Sequence, residues 1–159
     1  MLSVLDALLV RPLPYPDPHQ LAVLAEYNRK TGAPGGVSLS VAYPNYQDWI
    51  RRNRTFRQLA AYQYGLYNLT GPEGPEAVVG AALDLTVFPL LGVESGARPI
   101  RPLYGHVFQG ADSSERAVVL SYRLWRRRFA GRPDVVGRSL VINGETYAIR
   151  GVLPPTFEF

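Results

Sequence analysis

Acid–base chemistry needs two carboxylates within reach of one substrate, and the pair with the best surroundings for it is Asp48 and Glu26. Asp48 falls on the polar side of a helical pattern whose other side is aromatic, and Glu26 sits near the end of an alternating segment, so the two could meet among tyrosines. Solvated or capping roles suit both positions better. His19 and His106 lie far apart and lack the HExxH or HxH spacing that builds a zinc site, so each is expected to be an ordinary surface or loop residue. With no cysteine there is no disulfide, thiolate ligand or cysteine nucleophile. The chain also has no G-x-S-x-G elbow, P-loop or G-x-G-x-x-G turn. No catalytic, cofactor-binding or metal residue is therefore expected, and no enzyme activity.

The remaining chemistry is anion binding. Arg123, Arg126, Arg127 and Arg128 surround Trp125 and Phe129, a mixture that suits phosphates and stacked bases. Helical geometry argues against that use. Trp125 and Phe129, at i and i+4, share a face the core needs, while Arg123, Arg126 and Arg127 spread over the outside. A solvated helix face is the expectation, with a basic soluble binding module for nucleic acid or anionic lipid as the alternative.

The elements that must carry these residues can be read in order. Residues 21–27 alternate as a strand does, and residues 29–36 form a loop. Ser40 is placed to cap a helix in which Tyr43, Tyr46, Trp49 and Ile50 share an aromatic face, with Pro44 in the first turn. The helix ends across residues 53–57, and Phe56 and Leu59 are expected to anchor the return. Residues 59–69 and 77–85 predict a hairpin, residues 86–91 a helical turn closed by Gly92, and residues 94–114 a loop. A short strand over residues 117–120 leads to Ser121, the expected cap of a helix with Leu124, Trp125 and Phe129 on its apolar stripe and Gly131 at its end. Residues 140–143 and 145–152 flank Asn143-Gly144, the dipeptide suited to a type I′ turn. Strand–helix–strand thus occurs twice, and the expected class is α+β with antiparallel hairpins, arranged as two small α/β layers.

Ahead of all this, Pro12, Pro14, Pro16 and Pro18 alternate with other residues. Each ring removes an amide donor and pushes its predecessor towards extended backbone, so a stiff strut of roughly 20 Å is expected at about 3.1 Å per residue. Residues 1–10 are apolar but interrupted by Asp6 and far shorter than the roughly 18–20 residues of a bilayer span. They lack the cationic start and cleavage site of a signal peptide. The residues alone leave two readings, an amphipathic helix packed on the domain or the last turns of a membrane helix.

The 159 residues, 47% hydrophobic and 19% charged, suffice for one domain or two small subdomains. Fourteen prolines and 15 glycines without a period indicate many turns. The net charge of +4 rests on arginine, since Lys30 is the only lysine, and it permits anionic partners without requiring them.

Four blocks carry a resemblance to a known family: DALLVRPLPYPDPHQLAVL, SVAYPNYQDWIRRNRTFRQLAAY, YNLTGPEGPEAVVGAALDLTVFPLLGV and AVVLSYRLWRRRFAGRPDVVGRSLVINGETYAIRGVLPPTFEF. Together they resemble the MacB-like periplasmic core domain of ABC transporter permeases of the macrolide-exporter and FtsX-like type. The resemblance implies a porter-like α/β subdomain with a smaller second subdomain. Residues 1–18 would be the end of a membrane-proximal helix plus the strut, and residues 19–159 the core domain, incomplete at its C-terminus, so that the chain is a fragment of a permease. It also implies an inner-membrane protein with this domain on the periplasmic side, a homodimer in the intact permease, a cytoplasmic ATPase and a possible periplasmic adaptor as partners, and no nucleic acid. The expected role is non-catalytic: transmitting conformational change and contacting substrate or partner proteins during export. Residues 94–109 depart from the family's short Gly-Arg-x-Phe passage.

Overall fold

The computed structural model describes residues 15–24, 26–27, 37–38, 41–72, 74–108, 115–157 and 159. Residues 1–10, Pro12, Pro14, the 29–36 loop and Ser40 therefore lie outside the described residues. The elements run β1 (Glu26–Tyr27), β2 (Val37–Ser38), α1 (Tyr43–Arg52), β3 (Tyr62–Thr70), β4 (Glu76–Leu83), α2 (Val87–Leu90), β5 (Tyr104–Gly105), β6 (Ala117–Leu120), α3 (Tyr122–Arg128), β7 (Ser139–Ile142) and β8 (Glu145–Val152). Short 3-10 turns occupy Pro18–Gln20 and Pro133–Val135, so the extended strut expected through Pro18 is, in its described part, a bend over residues 15–17 that runs into the first of these turns.

Two antiparallel hairpins build the main sheet, as the sequence predicts. In β3–β4 the register runs from Tyr62↔Leu83 to Leu69↔Glu76. In β7–β8 the turn places Asn143 at φ 51° and Gly144 at φ 83°, both left-handed as a type I′ turn requires. The turn also joins the hairpins, because Asn143 N–H donates to Asn68 O at 2.8 Å and Asn143 Oδ1 accepts Asn68 N–H at 2.9 Å. Strand β8 is the hub. Ala148 faces Ser139 of β7 on one edge and Ala117 of β6 on the other, while Val152 faces Leu120 of β6 and Tyr104 of β5. Strands β7 and β5 therefore share one edge of β8, and β6 runs parallel along the opposite edge.

The sheet separates two apolar clusters. Along β6, Val118 and Leu120 enter the first, with Leu69, Trp125, Val135, Leu140, Ile149 and Val152, while Val119 faces the second, with Val87, Phe88, Leu91, Val93, Val107, Leu153 and Phe157. Alternating strand residues point to opposite faces, so the clusters lie on the two sides of the sheet. A register shift at Val118/Val119 skips Arg150 on β8, and this bulge lets Ile149 and Val152, three positions apart, fill the same cluster. Helix α3 covers the first face and α2 with the chain's outer segments covers the second.

Several expectations need correction. The strand expected over residues 21–27 is only Glu26–Tyr27, paired with β2 in a separate two-stranded ladder. Among the described residues no strand pairs with residues 21–24: Leu21 packs against the second cluster and Val23 is 71% exposed. Alternation alone does not make a strand without a neighbouring edge to bond. The first strand–helix–strand succession is consequently not a sheet layer. Helix α1 starts at Tyr43 with Ala42 as its N-cap, has no side-chain cap bond, and buries no residue. Its aromatic face is divided, with Tyr46 and Trp49 half-buried but Tyr43 and Ile50 exposed. Phe56, expected as an anchor, is also exposed. Finally, residues 94–108 are more than loop, since β5 joins β8 and Val93 bridges Ile100.

Candidate functional site

Among the described residues, the side chains with chemical potential do not converge. Asp48 is held by Arg51 on the exposed side of α1; the Glu26 side chain lies outside the described residues. His19 is exposed, and His106 is half-buried with Nδ1 2.9 Å from Val107 O. Among the described residues no three His, Asp or Glu side chains are grouped to hold a metal.

The basic run on α3 is engaged in structure. Ser121 caps the helix by accepting Leu124 N–H at 3.3 Å, and Trp125 is buried, its Nε1–H donating to Arg132 O at 2.8 Å. Arg126 stacks over the indole at 6.0 Å, and Arg127 pairs with Glu76 of β4. The sequence reading missed Arg128. Its side chain is 2% exposed, and it reaches Glu76 Oε2 at 3.3 Å and Gly74 O at 2.9 Å. A long arginine stem can lie within the core while its head bonds at the far edge, so Arg127 and Arg128 pin α3 to the β3–β4 hairpin, while Arg123 and Arg126 are exposed.

The structure does bring together the two outer segments of the described chain. Tyr15 and Leu21 from the proline segment pack on the second cluster. The Tyr15 ring stands 5.8 Å from that of Phe157, and Phe157 stands 6.2 Å from Phe88 of α2. Pro16 covers Gly92, where an added Cβ would lie 2.8 Å from Pro16 Cγ. Two residues on, Phe159 closes against Tyr62 at 5.2 Å and Tyr64 at 5.7 Å on β3. Burial and the neighbouring Tyr62 push the Tyr64 phenol above its ordinary value. Proline fixes φ and Gly92 admits the ring, so residues 15–21 and Phe157 are locked to one apolar cluster.

A polar latch sits beside this junction. Tyr46 Oη–H of α1 donates to Asp84 Oδ2 at 3.0 Å, and Asp84 Oδ1 accepts the Thr86 amide and hydroxyl, both at 2.9 Å. Burial, then the Asp84 bond and charge, push the Tyr46 phenol up to about 12. For Asp84 burial acts upward, but the Thr86 amide and hydroxyl and the Tyr46 phenol outweigh it and hold the carboxyl below its ordinary value. The latch ties the otherwise weakly packed α1 to the start of α2.

Comparison with known proteins follows the same lines. The profile of the family described as "MacB-like periplasmic core domain" matches residues 4–159. No curated protein matches. Among solved structures, the extracellular domain of the noncanonic ABC-type transporter YknZ from Gram-positive bacteria is similar at TM-score 0.60 and 15% identity, covering 82% of this chain and 65% of that one. The periplasmic region of MacB from Actinobacillus actinomycetemcomitans has TM-score 0.49 and 12% identity, covering 71% of this chain and 51% of that one. The chain thus spans less than two thirds of the length of either. The likeness to the first is one of fold, a mixed α/β architecture built on antiparallel strands.

Proposed function

The chain belongs to the MacB-like periplasmic core domain family, and on that premise we propose that it serves as a non-catalytic extracytoplasmic domain of an ABC-type export permease. In this reading residues 1–18 are the end of a membrane-proximal helix and its strut, and residues 19–159 belong to the core domain on the periplasmic side of the inner membrane. The permease works as a homodimer with a cytoplasmic ATPase. The domain passes conformational change from the membrane helices to whatever it contacts, whether exported substrate or a periplasmic adaptor.

The observation that carries this reading is the junction of Tyr15 and Pro16 with Phe157 and Gly92. A flexible linker would absorb a displacement of the membrane helix, whereas a segment whose Tyr15 and Pro16 are seated on the core passes it on. No helix among the described residues is long and apolar enough to cross a membrane, so the membrane part of the reading rests on the family.

The test begins with the DNA flanking the coding sequence. Apolar spans of about 20 residues on both sides, with an ATPase gene nearby, are expected; unrelated genes on both sides would overturn the permease reading. In the permease so defined, Tyr15→Ala should lower export while ATP turnover persists. Unchanged export would sink the coupling role.

A further inference from the structure

Beside α1 lies an open groove of about 380 Å³, lined by Leu24, Trp49, Arg52, Asn53, Arg54, Thr55, Phe56 and Leu59. We propose that this groove binds a single-chain anionic amphiphile, an alkyl chain ending in a carboxylate, phosphate or sulfate. The proposal gives the substrate-contacting part of the reading above a chemical class and in that sense rests on it.

Both halves of such a ligand have a counterpart. Leu24, Trp49, Phe56 and Leu59 supply apolar surface, and the volume lies in the lower part of the range for small-molecule sites. Phe56 is 41% exposed, so apolar area here awaits cover. The rim is cationic. Arg52, Arg54 and neighbouring Arg57 are exposed, and among the described residues none of them has a carboxylate partner, a state they share with Arg98, Arg101 and Arg126; what sets Arg52 and Arg54 apart is that they line the groove. Asp48, the acidic residue of α1, is already taken by Arg51. Charge and apolar surface therefore complement an anionic head and a chain at one place.

The turn that holds them is built in advance. Asn53 Oδ1 accepts the Thr55 and Phe56 amides at 3.1 and 2.9 Å, and its Nδ2–H donates to Phe56 O at 2.7 Å. These bonds fix Phe56 and Arg54 relative to the helix end, which reduces the ordering that binding would otherwise require. The planar guanidinium groups of Arg52 and Arg54, both among the lining side chains, suit a two-oxygen head group. A neutral amphiphile would leave these cations unused.

The experiment titrates the whole 159-residue chain with sodium dodecanoate below its micellar concentration and follows the emission of Trp49. Trp49→Phe identifies that signal against Trp125. Expected is saturable one-to-one binding with a blue shift, weakened by salt and weakened at least about tenfold in Arg52→Gln/Arg54→Gln. That variant should keep the parent's unfolding midpoint, since both side chains are exposed. Equal binding of uncharged dodecyl maltoside, undiminished binding by the variant, or no saturable binding would each overturn the proposal. Binding to anionic vesicles without binding to the monomer would overturn it in favour of a membrane-facing surface. None of these outcomes bears on the flanking DNA or on coupling, so either proposal can fail alone.

Discussion

The Pro16 ring occupies the space that a side chain at Gly92 would need: a Cβ there would stand 2.8 Å from Pro16 Cγ and 3.0 Å from Cδ, and Gly92 holds φ +79°. Gly92→Ala meets both obstacles. The left-handed backbone alone costs about 1–2 kcal/mol for a residue with a Cβ, and displacing Pro16 adds to it. In a Pro16→Ala background the loss should shrink towards the backbone share. Urea unfolding of the four chains of this cycle checks it; equal losses in both backgrounds would show that the strut does not press on Gly92.

Glu76 should matter more than a surface carboxylate. It accepts from Arg127 and Arg128, and the Arg128 side chain is 2% exposed while that of Glu76 is 28% exposed. Glu76→Gln is expected to lose about 1–3 kcal/mol by leaving a buried guanidinium short of its counter-charge. The loss stays below that of a fully enclosed pair because Gly74 O remains bonded to Arg128. Arg127→Gln, at the exposed side of the same carboxylate, should cost under about 1 kcal/mol. Thermal unfolding of both variants gives the comparison.

The latch predicts two pH limbs. Tyr46 is raised from 10.0 to about 12, so its contribution is complete below pH 10 and fades as pH rises through 12. Asp84 is lowered, so its contribution is present above the ordinary carboxylate range and fades as pH falls through the depressed value. Tyr46→Phe should flatten the alkaline limb and cost about 1 kcal/mol at neutral pH. Asp84→Asn should flatten the acid limb. Unfolding free energy measured against pH would contradict this if either limb kept its parent slope.

Trp125 is 4% exposed, packs with Tyr104 and Tyr122, each ring at 5.5 Å, and bonds Arg132 O. Trp125→Ala should cost about 3–5 kcal/mol in denaturant unfolding. A loss below about 0.5 kcal/mol, typical of surface sites, would mean the helix is turned the other way.

The sequence by itself determined what local physics can specify. Asn143-Gly144 tolerates two left-handed residues in succession, so the β7–β8 hairpin follows from a dipeptide. The Ser121 cap and the i, i+4 pair Trp125 and Phe129 specify α3 and its buried side. The tyrosine-rich residues 59–69 and the β-favouring residues 77–85 predict the β3–β4 hairpin, and the prolines mark the segment before the domain. The absence of cysteine and of catalytic spacings likewise needs only the chain.

Only the tertiary structure decided the rest, because it depends on partners distant along the chain. Residues 94–108 carry no period, yet Glu94 Oε2 accepts the Val107 amide at 2.9 Å, Tyr104 pairs with Val152 and Val107 is buried. Residues 21–24 are part of a strand-like pattern, but among the described residues no strand edge meets them. Arg128 resembles its neighbours in sequence and differs from them because Glu76 and Gly74 lie beneath it. The meeting of Tyr15 with Phe157 and of Pro16 with Gly92 has no local signature. Neither has the groove, where Leu24 and Leu59 come beside the Trp49–Phe56 turn. A side chain's type and spacing state what it can do; the surface folded against it decides which of those things it does.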